Sequence, residues 1–363
     1  MARVRIEGIT KTYGSKRALN GMSFDAKDGE LVALLGPSGA GKTTTFRIIA
    51  GVETSDSGNI YMDDVPINDV SPKERDVAMV FQSYALFPNM NVYRNLAFPL
   101  RMRGFKKDKI DERVKETAKM LRIDHLLERE VTFLSGGERQ RVALGGGMVR
   151  KAKLLLLDEP LTNLDAKLRL HMRLELRKIQ KEIGQTTIFN TPDQLEALTM
   201  ADRIAVVKDG KVQQYDTSIN IYNNPKTTFV ADFTGSPGMN LVDCLYKEKD
   251  GSAILVNDGL AFDITQNREL VKQKASGDEL VVGIRPADLN IAKERRAEND
   301  IPGEVYVVEP TGFTQIIDFK VGSQIIKIET LTALKCDLGD KVFVAPNMSK
   351  LHVFDKKTGE IIY

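Results

Sequence analysis

Apolar positions along the first two thirds of the chain follow two rhythms that repeatedly replace each other. Short runs that alternate or are continuously apolar fall at 3–7, 22–26, 31–35, 77–81, 154–157 and 186–189, and each predicts a strand. Between them the period lengthens to that of a helix. Ile110, Val114, Thr117 and Leu121 share one face, and Leu168, Met172, Leu176, Ile179 and Ile183 share another that Gly184 brings to a stop. These stripes are read as core packing. A further helical run at 44–50 follows the strand at 31–35 almost directly. Buried strands alternating with helices predict a mostly parallel α/β core.

The texture changes around 223–238, where Asn-Asn-Pro is followed by Thr-Gly-Ser-Pro-Gly and long helical periodicity fades. Short β-rich runs then recur at 253–256, 260–264, 280–284, 303–308, 315–319, 324–328, 341–344 and 351–354, punctuated by Gly, Pro, Asn and Asp. That spacing predicts a small barrel or sandwich. The expected domains are 1–235, with a helical subdomain at about 88–152, and 236–363.

A length of 363 residues suits two domains, and 42% hydrophobic with 28% charged residues is a soluble globular composition. With 52 basic against 50 acidic residues the formal charge is only +2, too little to draw nucleic acid or an anionic membrane to the chain as a whole. Partners must be argued from local features. The two cysteines, Cys244 and Cys336, are far apart and lack metal-ligand spacing, so neither a disulfide framework nor a zinc site is expected and a reducing cytosol fits. The start lacks an apolar signal core, and no run approaches the ~20 apolar residues that span a bilayer. A role at a membrane would therefore run through other subunits.

Candidate chemistry begins directly after the strand at 31–35. Gly36, Pro37, Ser38, Gly39, Ala40, Gly41, Lys42 and Thr43 match G-x-x-x-x-G-K-[ST] at every fixed position, with Thr44 opening the helical run. Glycines let successive backbone N–H groups turn inward on phosphate oxygens, the helix adds its positive N-terminal end, and Lys42 reaches the outer phosphates. The Thr43 hydroxyl suits Mg²⁺. A second cluster, Asp158-Glu159-Pro160, stands at the tip of the leucine strand. There Asp158 can hold Mg²⁺ through its water shell and Glu159 can orient or deprotonate an attacking water. Between the two lies Leu134-Ser135-Gly136-Gly137-Glu138-Arg-Gln-Arg, whose Ser-Gly-Gly can expose backbone N–H groups at a helix start as a second anion nest.

In this order and at these separations the three motifs resemble the ATP-binding subunits of ABC transporters, and the resemblance covers the whole chain. It implies a P-loop cassette with a helical subdomain, using ATP and Mg²⁺. Tyr13 then corresponds to the aromatic stacked on adenine, and Gln82 to the glutamine that touches Mg²⁺ and senses the γ-phosphate. Ser135 and Gly137 would engage ATP held by the other copy of a head-to-tail homodimer. Asp165, in Leu161-Thr-Asn-Leu-Asp165, resembles the loop crossing that interface and also suits a helix N-cap. Residues 83–95 resemble the region gripping the membrane subunits, although their aromatics also suit the core of the helical subdomain. Phe229–Asn240, Val282-Gly-Ile-Arg-Pro286 and Leu351-His-Val-Phe-Asp355 are similar to maltose and multi-sugar importer ATPases. Their regulatory domain is an all-β, oligonucleotide-binding (OB) type barrel. The resemblance thus implies a cytoplasmic-face location, two transmembrane permease subunits and, indirectly, an extracytoplasmic solute-binding protein, with no nucleic-acid partner.

Two stretches depart from the family. Where members read Thr-His-Asp-Gln, this chain reads Thr191-Pro192-Asp193-Gln194, and its histidines are His125, His171 and His352. Proline offers neither a side-chain donor nor an N–H, so turnover is expected to fall by about 10²–10³ if a transition-state hydrogen bond is lost. Pro192 also suits the start of a helix ahead of an Asp193/Glu196 capping pair. After the signature, Gly145-Gly146-Gly147 replaces approximately Gly-Arg-Ala; three glycines at about 1 kcal/mol each predict a soft helix. Glu138 in place of the commoner glutamine is a milder change. A slow-turnover ATP-dependent clamp and an importer for another solute, such as polyamine or iron, are the alternative readings.

Overall fold

The computed structural model describes residues 2–297 and 300–363, which divide into two compact units, Met1–Ile221 and Tyr222–Tyr363.

Two sheets build the first unit. β1 (Val4–Tyr13), β2 (Lys16–Ala26), β4 (Ser57–Met62) and β5 (Val65–Pro66) form an antiparallel sheet in the order β2-β1-β4-β5. The central sheet contains β3 (Leu31–Leu35), β6 (Val77–Val80), β7 (Leu154–Asp158), β8 (Thr186–Thr191), β9 (Arg203–Lys208) and β10 (Lys211–Asp216). Its order is β10-β9-β3-β8-β7-β6, and every pairing except that of β10 with β9 is parallel. Every residue of β3, β7 and β8 is buried, as strands covered on both faces must be. Val4, Ile6 and Leu19 of the antiparallel sheet share a core with Val32, Leu34, Leu154 and Leu156 of the central one, which holds the two sheets face to face. The expected strands at 3–7 and 22–26 prove to be parts of longer ones, because the exposed polar residues beyond them are held by hydrogen-bonded pairing.

Helices α1 (Lys42–Ala50), α2 (Val92–Arg101), α3 (Lys107–Met120), α4 (Gly136–Met148), α5 (Ala166–Ile183) and α6 (Gln194–Met200) complete this unit. α2, α3 and α4 pack on one another between β6 and β7 in sequence. The triple glycine does not interrupt α4. A Cβ on Gly145 would stand 2.6 Å from Leu96 Cδ2, and one on Gly147 would stand 2.7 Å from Val80 Cγ2, whereas Gly146 faces open space. Two of the glycines in the helix expected to be soft therefore stand at close approaches, and Gly146 alone carries the propensity cost without a packing return.

The second unit is two five-stranded antiparallel sheets around one core. The first contains β11 (Asn240–Lys249), β12 (Ser252–Asn257), β13 (Leu260–Asp263), β14 (Glu279–Ile284) and β20 (His352–Asp355), in the order β13-β12-β11-β14-β20. β15 (Leu289–Ala292), β16 (Ile301–Pro310), β17 (Thr314–Val321), β18 (Gln324–Leu331) and β19 (Lys341–Pro346) form the second, in the order β15-β19-β16-β17-β18. Leu255, Leu280 and Val282 of the first meet Val305, Ile317 and Phe319 of the second. β11 escaped sequence reading because its later half, Lys247-Glu248-Lys249, is polar and exposed.

The chain from Tyr222 to 235 belongs with these strands, so the divide precedes the 235/236 boundary read from the sequence. Arg285 is buried and donates to the carbonyls of Tyr222 (2.7 Å), Ala231 (2.9 Å) and Thr234. Ala231 and Met239 pack against Val281 and Phe354. Among the described residues no helix is long and apolar enough to cross a membrane.

Candidate functional site

β3 ends at Leu35 and the chain turns at once into the phosphate loop. A Cβ on Gly36 would stand 2.3 Å from the Val207 carbonyl oxygen; at Gly41, with φ of 102°, it would stand 2.6 Å from Leu19 Cδ2. Only glycine lets the loop pass this close to β9 and β2. Gly41 also precedes α1 without capping it by a side chain, so the first N–H groups of the helix remain for an anion. Lys42 is buried and donates to the carbonyls of Gly36 (2.7 Å) and Pro37 (2.9 Å). Burial lowers its pKa, and the nearby carboxylates of Glu159 and Asp158 oppose that shift. The cleft above the loop has an empty volume of about 750 Å³ and is lined by Tyr13, Lys16, Ala18, Ser38, Gly39, Gly41, Lys42, Thr43, Thr44 and Glu159. Tyr13 presents a half-exposed ring there, steadied by its hydroxyl, which donates to Glu53 Oε2 at 3.0 Å.

The carboxylates arrive from β7. Asp158 is its last residue, and Glu159 follows in a left-handed conformation with φ of 46°. Glu159 Oε2 accepts from Gln82 Nε2 at 2.9 Å and from the Thr162 hydroxyl at 3.1 Å, while Asn163 Nδ2 donates to the Gln82 carbonyl at 3.0 Å. Lys42, Gln82, Asp158 and Glu159, distant in sequence, thus converge at the C-terminal ends of parallel strands, where α/β sheets bind ligands. With its nitrogen committed to Glu159, the Gln82 side chain has its oxygen to offer a metal. Together with the Thr43 hydroxyl and the Asp158 carboxylate this is a hard oxygen donor set, suited to Mg²⁺. Among the described residues no group of three His, Cys, Asp or Glu could hold a metal alone. Mg²⁺ is usually bound through one or two carboxylates together with substrate phosphates and retained waters, and Asp158 is the carboxylate of this donor set.

Asn190 was missed by sequence reasoning, and Thr162 and Asn163, read there only as part of the interface loop, prove to contact Glu159 and Gln82. Asn190 had left one signal, an amide ending the otherwise apolar stretch Ile188-Phe189.

The signature stands apart from this cleft, since Ser135, Gly136, Gly137 and Glu138 are not among its lining residues. Ser135 caps α4 in a reciprocal box: Glu138 N donates to Ser135 Oγ, while Glu138 Oε2 accepts from the Ser135 N–H at 2.7 Å and from its hydroxyl at 2.8 Å. Those two donors hold the Glu138 pKa below its ordinary value. A carboxylate thus engages the Ser135 N–H and hydroxyl that the signature reading assigns to a phosphate. At Gly137 an added Cβ would stand 2.8 Å from Leu168 Cδ2, the end of a partly exposed side chain. Asp165 caps α5 by accepting from Leu168 N at 3.0 Å.

At the switch position, Pro192 is exposed at the end of β8. It does not start the next helix as the local reading held: Asp193 intervenes as the N-cap of α6, accepting from Leu195 N and Glu196 N. Nor does Glu196 complete a capping box. Its buried carboxylate instead accepts from the Thr191 hydroxyl at 2.7 Å, because the helix turns that side chain inward beneath the strand end.

Comparison with known proteins bears on both units. The ABC transporter family matches residues 19–162 and the MalK OB fold domain matches residues 235–289. The trehalose/maltose import ATP-binding protein MalK of Thermococcus litoralis is 45% identical, with 100% of each chain covered. The oligosaccharides import ATP-binding protein MsmX of Bacillus subtilis is 42% identical over 99% of each. A solved dimeric structure of the ATP-binding cassette MJ0796, in a post-hydrolysis state with ADP and Pi, has a TM-score of 0.53 and 29% identity, covering 59% of this chain and 98% of that one. Because the likeness runs through cassette and barrel alike, the chain belongs to the MalK-type ATP-binding subunits of ABC importers, a family of ATPases that use ATP with Mg²⁺.

Proposed function

We propose that this chain drives carbohydrate uptake by closing as a head-to-tail homodimer on two ATP molecules and reopening when they are hydrolysed. The observation that carries this reading is the convergence of Lys42, Gln82 and Glu159 at the phosphate loop, with Glu159 bonded to Gln82 at 2.9 Å. Tyr13 stacks on adenine, residues 36–44 cradle the phosphates, and Lys42 exchanges its two loop carbonyls for phosphate oxygens. Thr43, Gln82 and Asp158 would hold Mg²⁺, which would supply charge neutralisation at the phosphates. Glu159 takes the proton of the attacking water and is oriented by Gln82 and Thr162. The second copy contributes Ser135, Gly136 and Gly137, with Asp165 in the loop at the interface. The cassette, residues 1–221, acts on two transmembrane permease subunits at the cytoplasmic face of the membrane. The β-rich unit, residues 222–363, regulates. An extracytoplasmic solute-binding protein delivers the cargo to the permeases.

Sugar is favoured by relatives named for trehalose/maltose, oligosaccharides and, for a Haloferax volcanii protein 42% identical to this chain, xylose/arabinose, against two named for sn-glycerol-3-phosphate at 39% and 41% identity. A slow-turnover clamp is the second reading, and Pro192 favours it, since the residue has neither a side-chain donor nor an N–H to offer water or the γ-phosphate. Steady-state hydrolysis measured against protein concentration tests the dimer: a rate rising faster than linearly supports it, and a strictly first-order rate overturns it. Single-turnover measurement then separates a working ATPase from a clamp.

A further inference from the structure

Asn190 makes two contacts that no phosphate motif accounts for. It lies at the C-terminal end of β8, in register with Asp158 of β7, and is fully buried. Its Nδ2 donates to Asp158 Oδ1 at 2.7 Å, and its Oδ1 accepts from the Glu159 backbone N–H at 2.7 Å. The amide orientation follows from the partners, because a carboxylate can only accept from the nitrogen and an N–H can only donate to the oxygen. One side chain therefore grips both members of the acidic pair, the first by its carboxylate and the second by its backbone. The second grip falls on a strained residue, since Glu159 is a non-glycine with φ of 46° and such a conformation persists only where its surroundings hold it. β8 is also tied to the phosphate loop, through the Gly36 N–H donating to the Thr191 carbonyl at 3.4 Å. Two residues beyond Asn190 stands Pro192, so the strand reaches the reaction centre through its amide and not through a side chain at position 192.

We propose that Asn190 is a positioning residue for ATP hydrolysis. It fixes which oxygen of Asp158 is left for the metal side of the site and sets the direction in which Glu159 projects over the phosphate loop. This rests on the reading of Asp158 and Glu159 as the metal-side and water-side carboxylates. Partners of this kind, one shell behind the metal-facing groups, change metal affinity or activity by about 10–100-fold when removed.

The test compares full-length Asn190→Leu, which keeps the side-chain shape and removes both bonds, with Thr187→Val, a buried hydroxyl lost from the same strand. Asn190→Leu is expected to raise the Mg²⁺ concentration for half-maximal single-turnover hydrolysis by about 10–100-fold, with ATP binding in EDTA unchanged. Hydrogen exchange at the Glu159 amide, followed without nucleotide or metal, is expected to accelerate. Thr187→Val is expected to alter neither. An unchanged Mg²⁺ curve and unchanged Glu159 exchange in Asn190→Leu would overturn the proposal, as would the same Mg²⁺ shift in Thr187→Val. Should Asn190→Leu fail to fold, Asn190→Ser, whose hydroxyl donates and accepts once each, must give an intermediate Mg²⁺ shift; a wild-type curve from it also overturns the proposal. The exchange readout separates the two readings. Accelerated exchange alongside an Asp158→Ala variant that hydrolyses ATP normally would leave the Asn190 clamp intact and remove the assigned role of Asp158.

Discussion

Gln82 and Glu159 are 77 residues apart in sequence, yet the Gln82 amide nitrogen lies 2.9 Å from a Glu159 carboxylate oxygen. This bond couples the loop after β6 to the acidic tip of β7. Glu159→Gln is expected to retain ATP binding and lose about 10²–10⁴-fold in hydrolysis, the span of a lost general base. Stalled hydrolysis should also trap the closed homodimer. Light scattering with ATP checks this: a variant that hydrolyses at the wild-type rate would remove Glu159 from its role.

Pro192→His restores a side-chain donor and acceptor beyond β8, where Asp193 still caps α6. A rise of about 10²–10³-fold in single-turnover rate is expected, with the ATP dissociation constant unchanged. An unaltered rate would mean that Pro192 does not limit turnover.

The triple glycine of α4 should split by position. Gly146→Ala has open space and is expected to stabilise the fold by about 0.5–1 kcal/mol. Gly145→Ala and Gly147→Ala, whose added carbons would stand 2.6 Å from Leu96 Cδ2 and 2.7 Å from Val80 Cγ2, should cost about 1–3 kcal/mol through overpacking. Urea denaturation of the three variants distinguishes this pattern from a uniform propensity effect.

Glu196 gives a pH-dependent prediction. Burial raises its pKa above the ordinary 4.5, against the opposing pull of the Thr191 hydroxyl and of Arg173 and Arg169. The folded chain therefore holds this proton more tightly than the unfolded chain does. The resulting stabilisation is present below pH 4.5 and is lost as pH rises through the raised folded-state value. Glu196→Gln, neutral at every pH, should have the higher melting temperature at neutral pH, with its advantage shrinking toward acid. Parallel melting curves at both ends would show the reverse if the carboxylate were stabilised as a charge.

Arg285 ties residues 222–234 to the barrel through carbonyls of Tyr222, Ala231 and Thr234, and its guanidinium lies 4.2 Å from the Tyr222 ring centroid. Arg285→Met should cost about 1.5–3 kcal/mol per charged hydrogen bond not replaced by water. Limited proteolysis should then cut first between 222 and 238; wild-type resistance there would show that apolar packing alone secures the segment.

The sequence by itself determined the alternating α/β plan, the β-rich second part and the phosphate loop, because those follow from local period and from a motif whose residues are contiguous. It also exposed Pro192 as a departure. Only the tertiary structure decided that Asn190 spans Asp158 and Glu159, and that Gly145 and Gly147 mark close approach while Gly146 does not. It decided likewise that residues 222–235 pack with the barrel. In each case the deciding partner lies on another strand or helix, or depends on which way a helix turns a side chain, and neither is written in local periodicity.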